Sequence, residues 1–85
     1  MDDEKLKNTI KVQRAMRDLT QADLAAMAGV TRRSVNAIET GRMVPSVLLA
    51  LRIARALGVT VETIFGLDGS AEAVELTSAD EDAIS

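Results

Sequence analysis

Residues 21–38 read QADLAAMAGVTRRSVNAI, and the rest of the chain is organised around them. Leu24, Ala25 and Ala28 fall at helical spacing before Gly29 interrupts them. Val35 and Ile38 then resume the same spacing. Gly29 stands where a left-handed residue ends one helix quickly, since glycine carries no steric penalty there. Thr31 is a good N-cap for the helix that follows. Ala25 is small enough for the second helix to cross close over the first. The stretch is therefore two short helices joined by a tight turn.

Outward from this unit the chain reads as further helices. Leu6, Ile10, Val12, Ala15 and Met16, mixed with Lys5, Lys7, Lys11, Arg14 and Arg17, predict an amphipathic first helix over 4–17, with Asp2 and Asp3 near its positive end. Asp18 and Leu19 form the connection. Thr20, with Asp23 three residues on, predicts a capped start for a second helix over 21–28. The third spans 32–40 and stops at Gly41. Ser46 caps a fourth over 46–57, whose expected core stripe is Val47, Ala50, Leu51, Ala54 and Leu57. Thr60 caps a short fifth over 61–66. Five helices and no strand pattern before residue 70 predict an all-α bundle.

The 85 residues suffice for one small soluble domain, expected over 1–67, with a tail over 68–85. Residues 1–67 hold all ten lysines and arginines against seven acids, a net +3. The tail holds Asp68, Glu72, Glu75, Asp80, Glu81 and Asp82 with no base, a net −6. The whole-chain charge of −3 hides a mildly basic domain beside an acidic tail, expected to be disordered or ordered by dimerisation. Val74 and Leu76 alternate weakly, like a short strand.

Cysteine and histidine are absent, which removes disulfides, zinc fingers and histidine catalysis. No phosphate loop and no pocketed carboxylate pair is legible, so an enzyme is not expected, nor any cofactor or metal. Phe65 is the lone aromatic, which argues against stacking single-stranded nucleic acid. The start, MDDEKLKN, is too charged for a signal peptide, and no apolar run is of membrane length. A cytoplasmic protein that does not enter membranes is expected.

One linked series remains: Arg14, then Leu19-Thr20-Gln21-Ala22-Asp23-Leu24-Ala25, Ala28-Gly29-Val30, Ser34-Val35, Ile38-Glu39-Thr40-Gly41-Arg42, Pro45, Ile53-Ala54-Arg55-Ala56-Leu57-Gly58-Val59 and Ile64-Phe65. Over residues 6–67 the chain resembles the Cro and lambda-repressor-like (XRE) helix-turn-helix proteins. The resemblance implies a five-helix bundle that binds double-stranded DNA and regulates transcription. It makes 21–28 the supporting helix and 32–40 the recognition helix. Thr31, Arg32, Arg33 and Asn36 would then meet base edges in the major groove. The chemistry agrees, because arginine can donate twice to guanine and asparagine can pair with adenine. Adjacent arginines cannot point the same way, so one is expected to read a base and the other to hold phosphate. Gln21 matches a phosphate-binding position of the family. Arg42 and the backbone near Met43 are further phosphate candidates, followed by Ser34 and Lys11. Arg14 and Glu39 match a structural ion pair between the first and third helices.

A single recognition helix covers few base pairs, so a homodimer reading a palindrome is expected. Leu48 and Leu49, and Val61, Phe65 and Leu67 around the fifth helix, are the candidate interface. A repressor-like regulator is the leading expectation. The alternative is an antitoxin or adaptor module that uses the same fold mainly to bind a protein partner.

Overall fold

A computed structural model describes residues 5–67. The order is β1 (Leu6–Asn8), α1 (Ile10–Met16), α2 (Gln21–Ala28), α3 (Arg32–Glu39), α4 (Val47–Leu57), α5 (Val61–Ile64) and β2 (Phe65–Leu67). The expected tail, the strand-like Val74 and Leu76, and the capping role of Asp2 and Asp3 lie outside the described residues.

The helix starts are local chemistry. Thr20 accepts from the Asp23 N–H while the Asp23 carboxylate accepts from the Thr20 N–H, a reciprocal capping box. Thr31, Ser46 and Thr60 each accept from the backbone N–H three residues on. Gly29 ends α2 at φ 72°, in the left-handed region. The turn then delivers α3 across α2, so that Val35 and Ile38 bury with Leu24, Ala25 and Ala28. α2 also packs against α4, and Ile10, Ile53, Ala54, Leu57 and Ile64 complete the core.

Three expectations are corrected. The first helix starts at Ile10, not at residue 4, and the fifth ends at Ile64. Leu6–Asn8 and Phe65–Leu67 form an antiparallel ribbon instead, with Leu6 opposite Leu67 and Asn8 opposite Phe65. Three residues are too few for an alternating pattern to register, and each strand exists because its distant partner supplies the ladder. Of the apolar residues on α1, Ile10 is buried, while Val12 and Met16 lie exposed. On α4 the buried positions are Ala50, Ile53, Ala54 and Leu57, while Val47 and Leu51 are exposed. Both stripes have helical spacing on a helix that is apolar almost all round, so periodicity could not choose its phase.

Candidate nucleic-acid interface

α3 is fixed to the bundle from two sides. Arg14, on α1, donates from Nε to Glu39 Oε2 and from Nη2 to Glu39 Oε1 at 3.2 Å. Its Nη1 donates to the Leu19 carbonyl at 2.8 Å, so one guanidinium also pins the α1–α2 connection. The pair is largely buried, with 15% and 6% of the two side chains exposed. Burial is the largest influence on Glu39 and pushes its carboxyl up. Hydrogen bonds from Arg14 and Gln21, and the charges of Arg14 and Lys11, outweigh it and hold the carboxyl below its ordinary range. Asn8 forms the other tie: Nδ2 donates to the Ile38 carbonyl at 3.0 Å, and Oδ1 accepts from the Ile10 N–H at 3.1 Å. Nothing in the sequence singled out Asn8, because its role depends on the ribbon that seats it.

With α3 so held, its outer face is exposed. Gln21, Arg32, Arg33 and Asn36 line one open depression. Arg32 also borders a second one, with Arg14, Leu19, Thr20, Gln21 and Ala22, around the start of α2. Both arginines are exposed, and neither side chain hydrogen-bonds to the described residues. Arg52 completes the turn, its Nη1 donating to the Gly29 carbonyl at 3.3 Å. A cation at the carbonyl end of α2 suits the helix dipole.

The other candidates fall into place unequally. The Thr31 hydroxyl is committed to capping, accepting from the Ser34 N–H and donating to Ser34 Oγ at 2.9 Å. Its proton is thereby spent, while its methyl group stays free to meet a base edge. Ser34 Oγ is used as an acceptor there, so its own proton can go to a phosphate oxygen. Gln21 differs from expectation, because its Nε2 donates to Asn36 Oδ1 and to Glu39 Oε1, both at 3.1 Å. Its side-chain donors are spent inside the protein, so any phosphate contact there falls to the main-chain N–H groups that begin α2. Arg42 is exposed in the loop after α3. Met43 does not suit a backbone phosphate contact: its N–H donates to the Ala37 carbonyl at 3.1 Å and its side chain packs on the core. Lys11 is exposed on α1.

Of the candidate interface residues, Leu48 and Leu67 are exposed, whereas Leu49, Val61 and Phe65 are half-buried against the core. Val44, Val47 and Leu51 add exposed apolar surface that the expectation missed.

A capped supporting helix, a glycine turn and an exposed helix carrying two arginines and an asparagine define a helix-turn-helix protein. Residues 10–64 match the helix-turn-helix family, and the chain belongs to it, within the XRE group. It is a DNA-binding transcriptional regulator. It is 48% identical over 60 residues to the uncharacterized HTH-type transcriptional regulator MJ0272 of Methanocaldococcus jannaschii, covering 71% of this chain and 91% of that protein. It is 44% identical over 63 residues to the uncharacterized HTH-type transcriptional regulator YgzD of Bacillus subtilis, covering 74% and 96%. Among solved structures it is similar to the restriction-modification controller protein C.AhdI from Aeromonas hydrophila, with a TM-score of 0.62, 28% identity, and coverage of 64% and 82%. Among the described residues no helix is long and apolar enough to cross a membrane.

Proposed function

We propose that the chain is a repressor-like regulator that pairs as a homodimer and reads a palindrome, with α3 of each copy in the major groove. The observation that carries this is the depression lined by Gln21, Arg32, Arg33 and Asn36 on the exposed face of a rigidly held α3. Arg33 and Asn36 read bases there, and the Thr31 methyl packs beside them. Arg32, which also borders the start of α2, binds phosphate together with the main-chain N–H groups of that helix. Ser34, Arg42 and Lys11 are further phosphate contacts. The dimer forms through Leu48, Leu67 and the α5 flank of Val61 and Phe65, with Leu49 behind them. It places the two α3 helices about 34 Å apart, one turn of B-DNA. Occupancy of the operator by such a dimer excludes polymerase.

Selection of bound sequences from a random duplex pool, followed by a salt titration on the winning site, tests this. A palindromic consensus is expected, with affinity falling steeply as salt rises, by about 0.9 log unit per log unit of salt for each phosphate contacted. A non-palindromic consensus, or affinity indifferent to salt, overturns the proposal.

A further inference from the structure

Half of the large apolar side chains exposed among the described residues sit in one short stretch: Val44, Val47, Leu48 and Leu51. Leu48, Leu51, Arg52 and Arg55 follow the spacing i, i+3, i+4, i+7, which puts them on one face of α4. These four line an open groove. Arg55 is exposed, and its side chain hydrogen-bonds to no described residue. Arg52 spends an N–H on the Gly29 carbonyl and keeps others free, because a guanidinium carries several. α4 itself contains no acidic residue to pair with either charge. An apolar strip flanked by two cations suits an occupant that is both apolar and acidic.

The chain carries such a segment. Residues 72–76 read Glu-Ala-Val-Glu-Leu, inside the stretch 68–85 that has six acids and no base. β2 follows α5 directly and α5 packs on α4, so this stretch begins near the elements that carry the groove. From 67 to 74 a fully extended chain reaches about 23–25 Å, against a length of about 16 Å for α4. The tether holds the segment at an effective concentration of about millimolar, so weak contacts suffice. A second copy centred on the same groove would bring like charges together at Arg52 and Arg55. We propose that residues 72–76 dock in the α4 groove, Val74 and Leu76 on Leu48 and Leu51, with Glu72 and Glu75 beside Arg52 and Arg55. Leu48 also belongs to the pairing surface proposed above, so docking and pairing compete for it. The inference needs only α4 and the tail, and it stands apart from the DNA-reading role of α3.

The sequence has no cysteine, so a single introduced thiol can carry a nitroxide spin label. Ala73→Cys in the full chain places the label inside the segment and keeps its acids and large apolar residues. The nitroxide broadens nearby amide resonances, with a steep fall-off in distance. A tail that only swings from residue 67 would broaden β1 and α5 most, since Leu6 lies opposite Leu67 and α5 runs into β2. A docked tail is expected to extinguish the amides of residues 48–55 first. Glu72→Lys with Glu75→Lys should restore those signals, and both changes lie outside the folded core. Adding Arg52→Glu with Arg55→Glu should extinguish them again, a rescue that requires the opposite charges to meet. Should that variant fail to fold, Arg55→Glu alone serves, because Arg55 is exposed. Strongest broadening in β1 and α5 overturns the inference. So does broadening of 48–55 that ignores the charge reversal. Broadening that passes undiminished to unlabelled chains in a mixed sample makes the occupant a second copy, and overturns it too.

Discussion

Glu39 and Arg14 meet through two parallel contacts, Nε to Oε2 and Nη2 to Oε1, across the junction of α1 and α3. α3 is thus held at its last turn by a charge on the first helix. Removing one partner strands the other in a largely buried place, which is costlier than the pair is stabilising. Glu39→Ala should destabilise the domain by about 3 kcal/mol, read in denaturant unfolding. It should also weaken DNA binding without changing the consensus at the position proposed for Arg33. Unchanged stability would mean that the pair braces nothing.

Acid should act through the same carboxylate. The Glu39 carboxyl is held below its ordinary value of 4.5, and hydrogen bonds from the Thr20 backbone and hydroxyl hold Asp23 below its ordinary 3.8. A depressed folded pKa means that the unfolded chain binds protons first as pH falls. The stabilisation is full above the unfolded values and is lost as pH drops through the folded ones. With no histidine in the sequence, stability should be flat from about pH 5.5 to 7 and fall below about 4.5. Thermal melts across pH 3–7 check this, and Glu39→Gln should flatten the acid limb.

Gly29 isolates a backbone effect. Its φ is 72°, and an added Cβ would meet no atom within 4 Å. A substitution there costs conformation only, with no collision to confuse it. Gly29→Val should destabilise by about 1–2 kcal/mol, and Gly29→Asn by clearly less, because asparagine tolerates the left-handed region. Equal losses in chemical unfolding would contradict this account of the turn.

The arginines should separate in DNA binding. Arg33→Ala should cost about 1–3 kcal/mol on the selected site and relax one base position. Arg42→Ala should weaken all sequences alike and lower the salt slope by about one. Arg32→Ala should behave like Arg42→Ala. A mobility-shift matrix of variants against single-base operator changes reads all three, and a base-specific loss from Arg32→Ala would reverse the assignment.

The acidic stretch 68–85 bears a net −6 next to a domain of net +3. Its removal strips like charge from the approach to DNA. Deletion of 68–85 should tighten nonspecific binding at low salt, with the difference vanishing as the Debye length shrinks. Equal affinity at all salt concentrations would remove any electrostatic role for it.

Much of the fold is legible in local sequence because its signals are local. Thr20 with Asp23, Thr31, Ser46 and Thr60 each cap within three residues, and Gly29, Gly41 and Gly58 all take positive φ. What the sequence hides depends on partners far along the chain. The ribbon needs Leu6 to find Leu67, and the phase of α4 is set by what packs on it. The site divides the same way. The exposed arginines follow from their place at the start of α3, and the Arg14–Glu39 pair is reachable only through family resemblance. The Gln21–Asn36 contact, fifteen residues apart, has no sequence signal at all.

The pairing of Leu6–Asn8 with Phe65–Leu67 makes the domain a ring closed by backbone hydrogen bonds. Residues 6 and 67 therefore lie side by side. Closing a loop on the order of 60 residues costs an unfolded chain about 3–4 kcal/mol, before its constant term. A covalently circular version, spliced across the ribbon, would be relieved of that cost. During synthesis the ring cannot shut until residue 67 has cleared the ribosome. Asn8 takes its grip on the Ile38 carbonyl from that same ribbon, so one of the two ties on α3 waits until the ring has shut.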